Sequence, residues 1–126
     1  MNEDRATENL AAMLAHLAAY RYACLSEAAL VSQVTQVLQL HGYEFEREFS
    51  LAVGGRLDYY LPRTRLFIEC KVDQSWAKVV RQLGRYCEAN ETSGGLLISR
   101  RNAHRDLPAT INGKPIASLW VGQFAI

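Results

Sequence analysis

Two strand-length apolar runs stand close together near the middle of the chain, RLDYYL at 56–61 and LFIECKV at 66–72. No other feature narrows the fold as much. Gly54-Gly55 precedes the first run and Pro62-Arg63-Thr64 joins it to the second, which is the punctuation of a β-hairpin. LFIECKV is apolar at nearly every position, as expected of a central strand covered on both faces. Pairing Leu61 with Leu66 sets Asp58 opposite Glu69, and directly opposed residues have Cβ atoms roughly 5 Å apart. Side chains alternate along a strand, so Glu69 and Lys71 point one way and Cys70 the other.

One face of an otherwise apolar hairpin therefore carries two carboxylates and an ammonium. Facing carboxylates repel. A lysine offsets one charge, whereas a divalent cation offsets both, and hard oxygen ligands suit Mg²⁺ or Mn²⁺. In such a site a water is activated beside a phosphate, with Lys71 holding or polarising it. A solvated hairpin face with ordinary surface charges accounts for the same spacing.

The flanking segments read as helices and further strands. Residues 5–20 are rich in strong helix formers, and Leu10, Met13, Leu14 and Leu17 make one apolar stripe. This helix is expected to cover the core or to form a dimer contact, with His16 on its surface or half-buried. A second helix is expected over 26–40, capped by Ser26, with Glu27 favoured in the first turn by the helix dipole. Its buried stripe is Leu30, Val31, Val34, Val37 and Leu38, and Gly42 ends it. Glu27 lies at the top of that stripe, as a capping acid or as a group reaching the hairpin site.

YEFEREFSL at 43–51 alternates apolar and charged residues, a half-exposed strand with Glu46 and Glu48 facing solvent or one of them near the site. The third helix is expected over 75–90 with Ser75 as cap. Gln82 and Tyr86 share one of its faces, as site residues or as a surface hydrogen-bonding pair. Gly84, costing about 1 kcal/mol against Ala in mid-helix, suggests close packing there. GLLISRR follows Ser93-Gly94-Gly95 as a short buried strand. Arg100, Arg101, His104 and Arg105 follow in a basic loop, Asn112-Gly113-Lys114-Pro115 reads as a turn, and IASLWVGQFAI as a last strand with Trp120 and Phe124 in the core or in a subunit contact.

In this order of elements, the Asp58 strand, the Glu69-Cys70-Lys71 strand and the Gln82-Leu83-Gly84-Arg85-Tyr86 helix resemble the PD-(D/E)xK nuclease superfamily. The similarity is to small RecB-like and resolvase-like domains, including phage-encoded ones, and runs from about Leu25 to about Trp120. It implies an α/β fold: a central mixed β-sheet flanked by helices, the restriction-endonuclease-like core, over 25–126, with 1–24 as an N-terminal helical extension of a single domain. It further implies that Asp58 and Glu69 bind Mg²⁺ or Mn²⁺, joined by the Cys70 carbonyl and by Glu27 as the first-helix acid. Lys71 is then the catalytic lysine, and Gln82 and Tyr86 match the Gln-x-x-x-Tyr element. The residue before Asp58 is Leu57 rather than Pro, a departure that lowers the motif's specificity.

The 126 residues are 49% hydrophobic and 21% charged, in the globular range. The opening MNEDRATENL is polar and acidic, unlike a secretory signal, and no apolar run has membrane-spanning length. Cys24, Cys70 and Cys87 are widely spaced without a Cys-x-x-Cys, against zinc and a disulfide framework; a reducing cytoplasm is the simplest setting. The net charge is only +1, but 56–105 holds ten Lys and Arg against five acids. Lys78, Arg85, Arg100 and Arg101 are therefore candidates for contact with nucleic acid, and the Gln-x-x-x-Tyr resemblance adds Tyr86. The expected activity is hydrolysis of DNA phosphodiesters, by a homodimer if both strands are cut, with a partner protein as one source of specificity. The alternatives are a non-catalytic DNA-binding or assembly module on the same fold, and a small-molecule or RNA phosphodiesterase.

Overall fold

The hairpin forms in the expected register. In a computed structural model describing residues 3–122, Arg56–Leu61 (β2) and Leu66–Lys71 (β3) pair antiparallel through Tyr59–Ile68, Tyr60–Phe67 and Leu61–Leu66. Leu66 to Lys71 are all buried because β3 is the third strand of a six-stranded sheet. The sheet order is β1-β2-β3-β4-β6-β5, with β1 at Glu46–Ser50, β4 at Gly94–Ser99, β5 at Thr110–Ile111 and β6 at Lys114–Trp120. β1, β2 and β3 are antiparallel neighbours, whereas β3, β4 and β6 run parallel, so the sheet is mixed.

Three α-helices are described: α1 at Glu3–Ala18, α2 at Glu27–Leu40 and α3 at Trp76–Glu88. They cover the sheet from both sides. One apolar cluster joins Leu10, Met13 and Leu17 of α1 and Leu30, Val34 and Leu38 of α2 to Tyr59, Ile68, Cys70, Leu96 and Ile98. The other joins Val79, Leu83, Tyr86 and Cys87 of α3 to Leu57, Tyr60, Phe67 and Leu97. Adjacent β3 residues alternate between the two clusters, as the pleat requires. The apolar stripe of α1 is thus spent within its own chain, covering the core rather than offering a dimer contact, and α1 shares one core with the strands.

Local chemistry explains the helix ends. The Ser26 and Ser75 hydroxyls accept from the amides of Ala29 and Lys78, capping α2 and α3. His41 closes α2 and Gly42 follows at φ +72°, with the Gly42 amide on the Gln39 carbonyl and the Tyr43 amide on that of Leu38.

Several expectations are corrected. The strand expected from residue 43 begins only at Glu46. Asn112-Gly113 is the turn of a hairpin whose arms, β5 and the start of β6, were not anticipated; both turn residues have positive φ, as that two-residue turn demands. Gly84 marks no close approach, since a Cβ there would meet no atom within 4 Å. Tight glycines stand elsewhere: a Cβ on Gly95 would lie 2.3 Å from the Phe67 ring, and one on Gly122 would lie 2.1 Å from the Arg100 carbonyl oxygen. Trp120 ends β6 half-buried, its indole N–H on the Arg100 carbonyl at 3.0 Å. Phe124 lies outside the described residues. His16 is exposed, stacked on His41 and hydrogen-bonded to the Tyr43 hydroxyl. Among the described residues no helix is long and apolar enough to cross a membrane.

Candidate active site

Asp58 sits where the sheet's ladder is broken on both sides. Leu57 and Tyr60 belong to one core cluster and Tyr59 and Leu61 to the other, so strict alternation slips at Asp58. On the β1 side, Arg47–Tyr59 and Phe49–Leu57 pair while the intervening Glu48 and Asp58 do not, and Glu48 has φ +52°. A non-glycine residue in that region is sparsely populated backbone, which recurs at functional sites. The Arg47 guanidinium spans the gap by donating to the Asp58 carbonyl at 2.9 Å.

On the β3 side the carboxylates replace the backbone ladder. The Asp58 amide donates to Glu69 Oε1 at 2.7 Å, and the Cys70 amide donates to Asp58 Oδ2 at 2.8 Å. Each carboxylate commits one oxygen to a backbone N–H and keeps the other off the backbone. Glu69 is 1% exposed and Lys71 is 6% exposed, and Lys71 Nζ lies 3.4 Å from Glu69 Oε2. Burial pushes the Glu69 carboxyl up to about 8, the negative charge of Asp58 adds to this, and its hydrogen bond and Lys71 oppose it. Desolvation exceeds the help from Lys71 because a buried ion pair recovers only part of the hydration it gives up.

Glu27 is exposed on the first turn of α2 and lines a cavity of about 580 Å³ together with Asp58, Glu48, Arg47 and Thr35. Its charge is felt in the strand: the Cys70 thiol, pushed up first by burial, is raised further by Asp58, Glu69 and Glu27. Tyr59 fixes α2 over this cavity. Its hydroxyl donates to the Val31 carbonyl at 2.7 Å, so Thr35 Oγ1, also at 2.7 Å, donates to Tyr59. Glu48, expected on a solvent face or near the site, thus shares the Asp58 cavity; its position follows once β1 pairs with β2.

The donor set suits a hard divalent cation. Asp58 and Glu69 each offer a carboxylate oxygen not held by an amide, with Glu27 on the rim and the Cys70 backbone between them. Mg²⁺ commonly takes one or two carboxylates and keeps several waters. Among the described residues no three His, Cys, Asp or Glu side chains are gathered into a group that could hold a metal, so Glu27 does not close a three-acid cage with Asp58 and Glu69.

Gln82 is half-buried on α3 and hydrogen-bonds Tyr86, whose hydroxyl donates to the Arg56 carbonyl at 3.0 Å. Tyr86 is 2% exposed and T-stacked on Phe67, so it is a core residue rather than a surface for nucleic acid. Burial, then the charges of Glu69 and Asp58, push its hydroxyl up. Lys78 and Arg85 are exposed along α3 with Arg81. Arg100 and Arg101 instead tie down the loop after β3. Arg100 pairs with Asp73 and donates to the Cys24 carbonyl, and Arg101 donates to the carbonyls of Asp73 and Gln74. These contacts leave Arg101 exposed and Arg100 half-buried.

One pair escaped the sequence reading. His104 is buried, donates from Nε2 to the Gln74 carbonyl at 2.8 Å, and accepts at Nδ1 from the Ser99 hydroxyl at 2.5 Å. Burial depresses its basicity, and the pair braces the strand end next to Lys71, which Ser99 faces across the parallel ladder. No protein-family model matches this chain, and no curated protein or solved structure is detectably similar to it.

Proposed function

We propose that the chain is a metal-dependent nuclease hydrolysing DNA phosphodiester bonds on a restriction-endonuclease-like core, related to the PD-(D/E)xK superfamily. The observation that carries the reading is the Asp58–Glu69–Lys71 assembly. Three ionisable side chains meet at a break in an otherwise apolar sheet, and one of them is a carboxyl whose charged form is disfavoured by burial and by its neighbour. A purely structural hairpin has no use for that arrangement, since apolar residues of similar volume would cost less.

Asp58, Glu69 and the Cys70 carbonyl would hold Mg²⁺ or Mn²⁺, with Glu27 contributing from the rim. A bound cation supplies charge neutralisation and Lewis-acid polarisation of the scissile phosphate. Lys71 is held at the site by Glu69 and presents its ammonium to the phosphate and the attacking water, stabilising the charge that develops on the phosphoryl oxygens. Gln82 positions that water or the phosphate from α3. The decisive experiment is cleavage of supercoiled, linear duplex and single-stranded DNA in Mg²⁺, Mn²⁺ or EDTA by the wild type and Lys71→Ala. Metal-dependent cleavage lost in a folded Lys71→Ala protein supports the mechanism, and wild-type rates from that variant sink it.

A second reading, a non-catalytic DNA-binding or assembly module, is favoured by one observation: the described acids do not form a three-ligand group. In that case Mg²⁺ and Mn²⁺ leave the melting temperature unchanged, whereas a cation site raises it. Cutting both strands with so small a domain would need a second copy, which a solution mass would reveal.

A further inference from the structure

Among the described residues that line the Asp58 cavity, Arg47 is the only cation, against Glu27, Glu48 and Asp58. The break in the β1–β2 ladder fixes its place. Opposed residues of an antiparallel pair share a face, so Arg47 stands with Tyr59 on the α2 side of the sheet. Glu48 and Asp58 do not pair, which leaves the Asp58 carbonyl open to a side chain, and Arg47 Nε donates to it at 2.9 Å. The guanidinium carbon then lies 4.7 Å from the centre of the Tyr59 ring, a buried ring tied through its hydroxyl to Val31 and Thr35. The head group is thus anchored at one edge and on one face. A stitch between two strands needs a single donor, whereas a guanidinium carries five N–H groups. Among the described residues the four on Nη1 and Nη2 make no hydrogen bond, and no carboxylate forms an ion pair with them, although Glu27 and Glu48 line the same cavity. The charge still reaches the carboxylate strand. The Cys70 thiol, pushed up by burial and then by Asp58, Glu69 and Glu27, is drawn down by Arg47.

We propose that Arg47 is a substrate-binding residue of this site, its two terminal amino groups gripping a phosphate that flanks the scissile one. The inference rests on the nuclease reading and adds to it a residue and a subsite on the α2 face. A planar fork of N–H groups, already oriented by its anchors, matches two oxygens of one phosphate. The two faces of the sheet divide the work. Glu69 lies opposite Leu97 and so shares the α3 face with Phe67, and Lys71 follows it on that face. Arg47 stands on the other face, and Asp58 stands between them at the break in alternation. The scissile phosphate therefore falls to Lys71 and its neighbour to Arg47. Three acids around one guanidinium turn a phosphate away in the absence of a divalent cation, so the grip forms only with one present.

The test compares the full chain with Arg47→Met and Arg47→Lys in two ways: steady-state cleavage in Mg²⁺, and anisotropy of a fluorescein-labelled DNA duplex and of its single strand in Ca²⁺ or EDTA. Arg47→Met should raise KM about tenfold, the worth of one charge-assisted contact, with kcat within about twofold, as when binding is lost equally from ground and transition states. In Ca²⁺ it should weaken binding by a similar factor and flatten the slope of log K against log salt by about 0.9 on the duplex or about 0.7 on the single strand, the share of one phosphate. In EDTA the variant and the wild type should bind alike. Arg47→Lys keeps the charge and loses the fork, so the slope should return while KM stays raised. Arg63→Gln, on the β2–β3 turn, is the control and should change neither. If Arg47 only stitched β1 to β2, Arg47→Met would displace Asp58 and lower kcat and the melting temperature at constant slope, and that result overturns the proposal. Wild-type KM and slope in a folded Arg47→Met protein overturn it as well, as does a wild type that binds neither DNA in Ca²⁺. If Arg47→Met does not fold, Arg47→Lys still decides, since wild-type KM there removes the need for a fork. Cleavage by the wild type with KM and slope unmoved in Arg47→Met would remove this inference and leave the nuclease reading; the slope loss in Ca²⁺ without cleavage of any substrate would do the reverse.

Discussion

Asp58 and Glu69 hold each other's strands: the Asp58 amide donates to Glu69, and the amide next to Glu69, that of Cys70, donates to Asp58. Side-chain carboxylates thus take over the hydrogen bonds that a plain antiparallel pair would make between backbones. The exchange keeps two negative groups together at a buried point, and its consequence is a raised Glu69 carboxyl.

That shift fixes the sign of the pH dependence. Glu69 binds its proton more tightly when folded, up to about 8 against 4.5. The stabilisation from the neutral form is complete below about 4.5 and is lost as pH rises through about 8. Between these values stability in EDTA should fall, with a slope approaching about 1.4 kcal/mol per pH unit. Urea midpoints from pH 5 to 9 measure it. Glu69→Gln, which keeps an acceptor for the Asp58 amide and cannot ionise, should flatten the profile; an unchanged slope would show that another group carries it.

Mg²⁺ or Mn²⁺ should oppose that loss. A cation that binds only the folded, ionised pair stabilises by about 2.7 kcal/mol at a hundred times its dissociation constant. The gain in melting temperature should therefore be larger at pH 8 than at pH 5.5 and absent in Glu69→Gln with Asp58→Asn. A metal shift of equal size in the double variant would place the cation elsewhere.

Lys71→Met keeps an apolar stem in the buried site but removes the charge that lowers the Glu69 carboxyl. Its stability should stay close to wild type at pH 5, where Glu69 is neutral, and fall by a few kcal/mol at pH 9, where an unpaired buried carboxylate remains. Cleavage should be lost at both. Equal destabilisation at the two pH values would show that Lys71 acts through packing alone.

Two glycines should answer oppositely to alanine. Gly84→Ala meets open space in mid-helix and should stabilise by about 1 kcal/mol. Gly95→Ala drives a Cβ into the Phe67 ring and should destabilise by about 1–3 kcal/mol or more. Thermal unfolding of both variants checks this, and the opposite order would mean that the strand–strand packing around Phe67 is looser than described.

Tyr86→Phe separates the roles on α3. It leaves the Arg56 carbonyl without its partner, at about 1 kcal/mol, and frees Gln82. If Gln82 acts on the substrate itself, Gln82→Ala should lower kcat far more than Tyr86→Phe does. Equal losses would make Gln82 a positioning residue for Tyr86.

Much of this was legible in the chain because it is local. The Pro62-Arg63-Thr64 turn and the apolar runs on either side set the register that puts Asp58 opposite Glu69, and period-two alternation sends Cys70 away from Lys71. Serine caps and 3.6-residue stripes placed α2 and α3 to within a residue or two. Other features depend on which distant segments meet. Nothing local marks Glu48 as a neighbour of Asp58, because that follows from β1 pairing with β2 and from the slip in alternation at Asp58. Arg100 and Arg101 look like free cations in a basic stretch, and only the return of the chain beside the loop after β3 supplies Asp73 and the carbonyls that occupy them. The space around Gly84 is likewise not legible locally, since it is set by the element packed against it. The sequence by itself determined the elements, the hairpin register and the residue types gathered on its face, through steric and periodic rules that act within a few residues. The tertiary structure alone decided which charges are buried, which are paired and which line the cavity, because desolvation and pairing are properties of neighbours far apart in the chain.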